Sequence, residues 1–157
     1  MKQDSTVKQQ SLNPTSGVQL RGVEQPSSPA ELDERLTTAL AAAADKKAIN
    51  IVVLDLREIA SFTDYFVIAS GANERQVQAI ADEVVETLKK AGSAVSRMEG
   101  YKTAEWILLD YGDFVVHVFD AKARKFYDLE RMWRESKRVD LPAELSGEPD
   151  SSLRNES

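Results

Sequence analysis

The sequence predicts a single α/β domain in which helices pack on a mixed β-sheet. Two short runs rich in β-branched residues indicate buried strands, two amphipathic segments indicate helices, and one aromatic-rich stretch indicates a hairpin. With 157 residues, the chain has room for one core of about 100 residues and a tail at each end. We therefore expect residues 29–136 to form the domain and residues 1–28 and 137–157 to be disordered.

The first predicted helix starts at the Ser28-Pro29 pair and ends near residue 47. Ser28 can cap the first free amides, Pro29 fits the first helical turn, and Glu31 can complete a capping box. An apolar stripe with a spacing of four residues follows, formed by Leu32, Leu36, Leu40 and Ala44.

Two strands come next, in the runs "INIVVLDL" and "DYFVIAS", and both have the composition of strands buried on two faces. A second helix follows, with Asn73 as its cap and Gln76 three residues later. Its apolar residues repeat at helical spacing until Lys90, and Gly92 marks its end. A short strand is expected at residues 94–97.

A hairpin is predicted from residues 105–110 and 114–119, around a two-residue loop at Tyr111 and Gly112. This register places Trp106 opposite His117, and Leu108 opposite Val115. One face of the hairpin then holds Trp106, Leu108, Asp110, Val115 and His117. The other face offers an apolar surface to the core, formed by Phe114, Val116 and Val118.

The predicted domain ends with a turn or short helix at residues 121–125 and a helix that carries Leu129, Met132 and Trp133. The order of elements is helix, two strands, helix, hairpin strands and helix, which is typical of an α/β sandwich with a mixed sheet.

The composition favours a basic partner. The formal net charge is -6 and the pI is about 4.9, and residues 30–136 alone hold 14 basic and 19 acidic residues. Such a balance repels nucleic-acid backbones and attracts basic surfaces. No cysteine, signal peptide or long apolar run is present in the sequence, so we expect a cytoplasmic protein, with a transit peptide as the lesser alternative.

The residues that could carry catalysis do not form a recognisable set. His117 is the only histidine, and no Gly-x-Ser-x-Gly motif supplies a nucleophile for it. Asp110 and Asp113 flank a turn, where aspartates ordinarily serve as turn residues. We therefore expect no enzyme activity, no cofactor and no metal site. The mixed composition around Trp106, Asp110 and His117 is instead typical of a binding surface, which we favour over a core role.

Three segments together resemble the ribosomal silencing factor family, also called RsfS or iojap. They are "TDYFVIASGANERQVQAIADEV", "EWILLDYGDFVVHVF" and "FYDLERMW", in this order, and the similarity covers residues 29–134. The resemblance implies a nucleotidyltransferase-like fold without the catalytic carboxylates. In agreement, no Asp-x-Asp or Asp-x-Glu pair follows "ASGANER" on a strand, and Asp128-Leu129-Glu130 falls in a helical segment.

The resemblance also implies a function and a set of residues. Members of the family bind the large ribosomal subunit through ribosomal protein number fourteen, block joining of the small subunit and so repress translation; some form homodimers. By position, the implied partner-binding residues are Tyr101, Trp106, Asp110, Asp113 and His117, with His117 either a contact or an orienting hydrogen-bond partner. Core or dimer contacts are implied for Tyr127, Glu130 and Trp133.

A secondary contact with ribosomal RNA is left open for a basic cluster, Lys122, Arg124 and Lys125, although a solvated turn is the favoured interpretation. Two alternative functions also stay open, an assembly factor of the large subunit and a nucleotide-binding enzyme.

Overall fold

Six strands and four helices make up the part of the chain that the computed structural model describes, residues 33–149. The strands are β1 Ile49–Asp55, β2 Tyr65–Gly71, β3 Arg97–Glu99, β4 Trp106–Asp110, β5 Phe114–Asp120 and β6 Lys137–Arg138. The helices are α1 Glu34–Asp45, α2 Glu74–Lys90, α3 Ala121–Tyr127 and α4 Leu129–Met132, and a 3-10 turn lies at Ala143–Leu145.

The strands form one mixed sheet in the order β3-β4-β5-β2-β1-β6, which confirms the predicted fold class. Strands β2 and β5 at the centre are parallel, and all other neighbours are antiparallel. A parallel pair needs a long crossover, which α2, β3 and β4 provide. Because β2 and most of β5 are buried on both faces, helices cover both sides of the sheet.

Two apolar cores result, one on each side of the sheet. Helices α1 and α2 pack over alternate residues of the strands, including the predicted core face of Phe114, Val116 and Val118. We call this the α1–α2 core. On the opposite side Ala123 and Leu129 of the short helices pack over Val115 and Phe119, in what we call the α3–α4 core.

Helix α1 begins at Glu34, so an unbroken helix from Pro29 is wrong. Asp33 is the N-cap, with φ -56° and ψ 140°, and its carboxylate accepts a hydrogen bond of 2.8 Å from the Arg35 amide. The cap proposed at Ser28 lies outside the described residues. Two members of the predicted stripe are fully buried, Leu36 and Leu40.

Helix α2 has the cap that the sequence predicts. The Gln76 amide donates to the Asn73 side chain at 2.8 Å, and the Gln76 side chain accepts from the Ala72 amide at 2.7 Å. The short strand that precedes β4 is found at Arg97–Glu99, three residues later than its predicted start.

The β4–β5 hairpin turns at Gly112 and Asp113, one residue later than predicted. Tyr111 pairs with Phe114 through a hydrogen bond of 2.9 Å between the Tyr111 amide and the Phe114 carbonyl. Gly112 has φ +86°, and it adopts this conformation at the first loop position without the steric cost that a side chain would bring.

The predicted pairing of the hairpin is therefore wrong, whereas the predicted face is right. Trp106 lies opposite Phe119 instead of His117, and Leu108 lies opposite His117 instead of Val115. Because side chains alternate with a period of two, a slip of two residues leaves each of them on its original face.

The segment of residues 137–149 belongs to the folded body, so the prediction of a disordered tail is wrong for this part. Strand β6 pairs with β1, the Val139 amide donates to the Val53 carbonyl, and the Asn50 amide donates to the Glu148 carbonyl. We call this segment the C-terminal strap. The predicted tails at residues 1–28 and 150–157 lie outside the described residues.

Within residues 33–149, no helix combines the length and the apolar character needed to cross a bilayer.

Candidate functional site

The Trp106 and His117 side chains of the hairpin form a hydrogen-bonded pair on the α3–α4 side of the sheet. The Trp106 indole N–H donates to His117 Nδ1 at 3.0 Å, so the proton of the neutral imidazole is assigned to Nε2. His117 is 3% exposed, and its ring meets Phe66 edge-on with centroids 4.4 Å apart. The buried His117 thus fixes the position of the Trp106 indole.

Burial lowers the pKa of His117 to about 3. The imidazole is therefore neutral near pH 7, as an acceptor for an indole N–H requires. A general acid or base works best with a pKa near the operating pH, which this position does not provide. Of the two roles left open for His117, the geometry is that of an orienting partner.

Aromatic side chains continue from this pair across the α3–α4 side of the sheet. Trp106 contacts Tyr127 at 4.8 Å between centroids, and Tyr127 contacts Phe126 at 5.0 Å. At the other end, Phe66 contacts Trp133 at 5.7 Å, and Trp133 contacts Phe62 at 5.9 Å. We call the solvent-facing members of this series the aromatic ridge: Phe62, Trp106, Phe126, Tyr127 and Trp133.

The aromatic ridge includes large apolar side chains that are exposed to solvent. Phe62 is 60% exposed and Phe126 is 79% exposed, and Met132, which shares a surface groove with Phe126, is 67% exposed. Trp106 and Trp133 are half-buried, with their lower parts in the α3–α4 core. Large apolar side chains gathered at one surface are typical of an interaction site.

Asp110 and Asp113 lie at the turn end of the hairpin. Asp110 shares the sheet face of Trp106, about 13 Å along the strand at 3.3 Å per residue. Its carboxylate accepts from the Gly112 amide at 2.8 Å and lies 3.8 Å from Arg97. Asp113 accepts a hydrogen bond of 2.7 Å from Arg35, and its side chain is 67% exposed. Both carboxylates keep surface open to a partner.

Tyr101 lies on the other side of the sheet, against the α1–α2 core. Its hydroxyl donates to Asp82 at 3.0 Å, and its carbonyl accepts from Gln78 at 2.8 Å. The hydrogen bond to Asp82 raises the pKa of the Tyr101 hydroxyl. The structure therefore does not bring Tyr101 together with Trp106.

Arg124 is buried, so the predicted basic cluster of Lys122, Arg124 and Lys125 is wrong in its central member. The guanidinium donates to both oxygens of Glu130, at 3.1 and 2.9 Å, to the Asn50 carbonyl at 2.8 Å and to the Ser70 hydroxyl at 3.0 Å. These bonds tie α3 and α4 to the sheet. Glu130 is consequently an internal anchor of the short helices.

The family model for "Ribosomal silencing factor during starvation" matches residues 29–157. The chain belongs to the ribosomal silencing factor family. The match of the family model begins at residue 29 and runs to residue 157, beyond the end predicted for the domain at residue 136. The resemblance inferred from three segments of the sequence is thus confirmed.

Relatives within the ribosomal silencing factor family cover most of the chain. Ribosomal silencing factor RsfS of Halalkalibacterium halodurans is 42% identical over 113 residues, which are 72% of this chain and 97% of the relative. The protein of the same name from Bacillus subtilis is 43% identical over 106 residues, 68% of this chain and 90% of that one. A crystal structure from Chromobacterium violaceum superimposes with a TM-score of 0.64 at 35% identity, covering 72% of this chain and 91% of that chain.

Sequence reasoning missed two exposed side chains of this ribosomal silencing factor family member, Phe62 and Phe126, and it grouped the exposed Met132 with Leu129 and Trp133 on the last helix. Phe62 lies between the predicted strands "INIVVLDL" and "DYFVIAS", outside every element that the sequence predicts. Phe126 occupies the last turn of α3 and is 79% exposed. For Phe62 and Phe126, the available signal was a large apolar residue that belongs to no predicted core face.

Proposed function

We propose that this protein is a translational repressor that binds the large ribosomal subunit through ribosomal protein number fourteen and sterically blocks association with the small subunit. Membership of the ribosomal silencing factor family supports a ribosome-associated role in silencing translation. The repression needs occupancy alone, so it is proposed to be non-enzymatic and to take place in the cytoplasm.

The aromatic ridge is the observation that carries this proposal. Binding energy at protein interfaces concentrates in a few aromatic or arginine side chains that are firmly held by their surroundings. Trp106 fits this description, because His117 fixes its indole and Phe119 and Tyr127 contact its ring, at 5.0 and 4.8 Å. A rigid tryptophan loses little conformational freedom when a partner covers it.

The charge around the ridge supports a basic partner. Asp110 and the exposed Glu105 lie at opposite ends of β4, and Asp113 is exposed at the turn. The net charge of -6 adds a long-range attraction to a basic ribosomal protein. In this proposal Trp106 is the anchor and the aspartates are charged contacts, whereas the contact predicted for Tyr101 lies apart from them, on the other side of the sheet.

Two secondary contacts belong to the same proposal. Tyr127 and Trp133 are on the aromatic ridge, so a homodimer built on them would compete with the ribosomal protein for one surface. Ribosomal RNA is the other secondary partner. Glu130 is proposed to act indirectly, by holding α4 through Arg124.

Co-sedimentation with purified large subunits and a subunit-joining assay test this function. We expect the protein to sediment with large subunits and to reduce the fraction of joined ribosomes. Trp106→Ala should lose both effects while it unfolds cooperatively. Met98→Ala removes a 37% exposed apolar side chain on β3, at the sheet edge, and should retain both. Normal joining at saturating wild-type protein contradicts the proposal.

A pull-down against separated large-subunit proteins tests the identity of the partner. We expect ribosomal protein number fourteen to be retained by the wild type and lost with Trp106→Ala. If a different protein were retained and its retention also depended on Trp106, the proposed surface would stand and the proposed partner would be wrong.

A further inference from the structure

Residues 121–138 carry a charge opposite in sign to that of the rest of the chain. This segment holds seven basic and three acidic residues, a net charge of +4. The remaining sequence holds 13 of the 20 basic and 23 of the 26 acidic residues. A basic lobe made of α3, α4 and β6 therefore stands on an acidic body.

Some of these cations are used inside the fold. Arg124 and Arg138 both pair with Glu130, and Lys137 pairs with Glu58 at 3.2 Å. Four others are exposed and form no ion pair with any residue of the described range: Lys122, Lys125, Arg131 and Arg134. In a protein of negative net charge, such cations on one surface favour an anionic ligand there when they lie close together.

Three of the four cations line one surface groove between α3 and α4. Lys125, Arg131 and Arg134 share it with Phe126 and Met132. Two acidic side chains line it as well, Asp128 and Glu135. The groove is thus positive by one charge, and its apolar wall is the most exposed phenylalanine among the described residues, at 79%.

We propose that this groove is a contact surface for single-stranded RNA. Cations that follow a backbone, together with an exposed ring on which a base can stack, are the usual means of binding a single strand. The groove overlaps one end of the aromatic ridge, because Phe126 and Tyr127 belong to both; in this proposal Phe126 faces the RNA and Trp106 faces the ribosomal protein. The inference deepens the proposed function, on which it rests for the source of the RNA: a ribosomal strand next to the protein partner.

The position of the cations also bears on the electrostatic repulsion between this acidic protein and RNA. A protein of net charge -6 is repelled by the phosphates that cover much of a ribosomal subunit. Three cations without ion pairs at the end of the aromatic ridge reduce this repulsion where RNA is met. The acidic body can then attract a basic ribosomal protein while the groove holds RNA.

Fluorescence anisotropy with a labelled single-stranded 12-nucleotide RNA tests the groove directly, on the full-length protein. We expect binding at low salt, with a slope of log Kd against log salt of about 2 if three phosphates are contacted. The triple variant Lys125→Gln, Arg131→Gln, Arg134→Gln should lose most of this slope. Phe126→Ala should bind about tenfold more weakly, because a stacked base is lost.

A matched variant separates position from net charge. Lys47→Gln, Lys89→Gln, Lys102→Gln removes three exposed lysines elsewhere on the surface and gives the same net charge. We expect this control to keep most of the RNA affinity. Equal losses in the two triple variants, or no RNA binding by the wild type at low salt, overturn the proposal.

Cross-linking in the ribosomal complex distinguishes RNA from protein as the occupant. A photoreactive phenylalanine analogue at position 126 should cross-link to ribosomal RNA in large subunits that have bound the protein. Cross-links to ribosomal protein alone overturn the RNA assignment and leave the proposed function intact. If the protein does not co-sediment with large subunits, the proposed function is contradicted. The anisotropy measurements alone then decide whether the groove binds RNA.

Discussion

At the scale of single residues, the Trp106–His117 pair links the interior of the fold to its surface. The imidazole is buried among aromatic rings, and the indole it holds is half-exposed. His117 Nδ1 accepts the indole N–H and so fixes the orientation of the Trp106 ring. Because His117 is buried, it does not itself take part in the interface. Its contribution to binding is therefore expected to be indirect, through Trp106.

The burial of His117 predicts a specific dependence of stability on pH. Its folded-state pKa, about 3, lies below the ordinary value of 6.5, so only the unfolded chain takes up a proton as the pH falls through this range. The stabilisation is complete above pH 6.5 and is lost towards pH 3, at about 1.4 kcal/mol per pH unit. We expect the free energy of unfolding to fall by about 2 kcal/mol between pH 6.5 and 5 from this group.

The variant His117→Asn is the control for this prediction, because asparagine keeps an acceptor near the Nδ1 position and does not titrate. Urea unfolding at several pH values measures both proteins. The wild type should lose more stability than the variant over this interval. Parallel pH profiles would show that His117 is not the group responsible.

The hydrogen bond of the pair should be measurable as a coupling between its partners. Trp106→Phe keeps an aromatic ring and removes the donor, which leaves His117 Nδ1 without a partner among the residues described. We expect a loss of about 1–2 kcal/mol of stability. In a double-mutant cycle with His117→Leu, the coupling should be about 1 kcal/mol. Strict additivity would argue against the bond.

At the scale of elements, the short helices α3 and α4 depend on Arg124 more than on their own length. Helices of seven and four residues have little intrinsic stability. Arg124 connects them to the carbonyls at the irregular start of β1, where Asn50 has φ +49°. Tyr127, Trp133 and the groove are carried by these helices, so their positions follow from this one guanidinium.

Arg124→Met should therefore destabilise the protein by about 3 kcal/mol, because it leaves a partly buried carboxylate at Glu130 and an unpaired carbonyl at Asn50. Lys125→Met, on the exposed side of the same helix, should change stability by less than about 0.5 kcal/mol. Chemical denaturation measures both. Equal effects would mean that Arg124 is not the anchor of the helices.

The C-terminal strap offers a second prediction at this scale. Gly147 has φ +80°, and a Cβ there would lie 2.5 Å from the Ala48 carbonyl oxygen. Gly92 has φ +94° and open space around it. Both alanine variants carry backbone strain of about 1 kcal/mol, and Gly147→Ala should cost at least about 1 kcal/mol more. Thermal unfolding compares them, and equal losses would show that the strap adapts freely.

At the scale of the whole molecule, the division of charge gives the protein two different faces. The acidic body favours approach to a basic protein, and the basic lobe lies beside the aromatic ridge. Neutralising two acids at the ends of β4, with Glu105→Gln and Asp110→Asn, should slow association with large subunits at low salt by about threefold. The difference in association rate should vanish at high salt, and stopped-flow measurements at two ionic strengths check this. A difference that persists at high salt would contradict the prediction.

The fold was predictable where its signals are local. The period of 3.6 residues located α2 and its cap at Asn73, and the β-branched runs located β1 and β2. The period of two assigned Trp106 and His117 to one face, even though the predicted pairing was two residues out of register. Register depends on which residues take the turn, and the sequence "DYGD" allows more than one choice.

The sequence by itself determined the family, the acidic charge, the α/β class and the face on which Trp106 lies, because each depends on composition, local order or residue spacing. Only the tertiary structure decided that His117 is buried, that Arg124 is an internal anchor and that residues 137–149 complete the sheet. Each of these depends on contacts between distant parts of the chain, such as Arg124 with Asn50, 74 residues away. Whether a side chain is buried depends on which distant segment packs over it, and the local spacing of residues in the sequence does not contain this information.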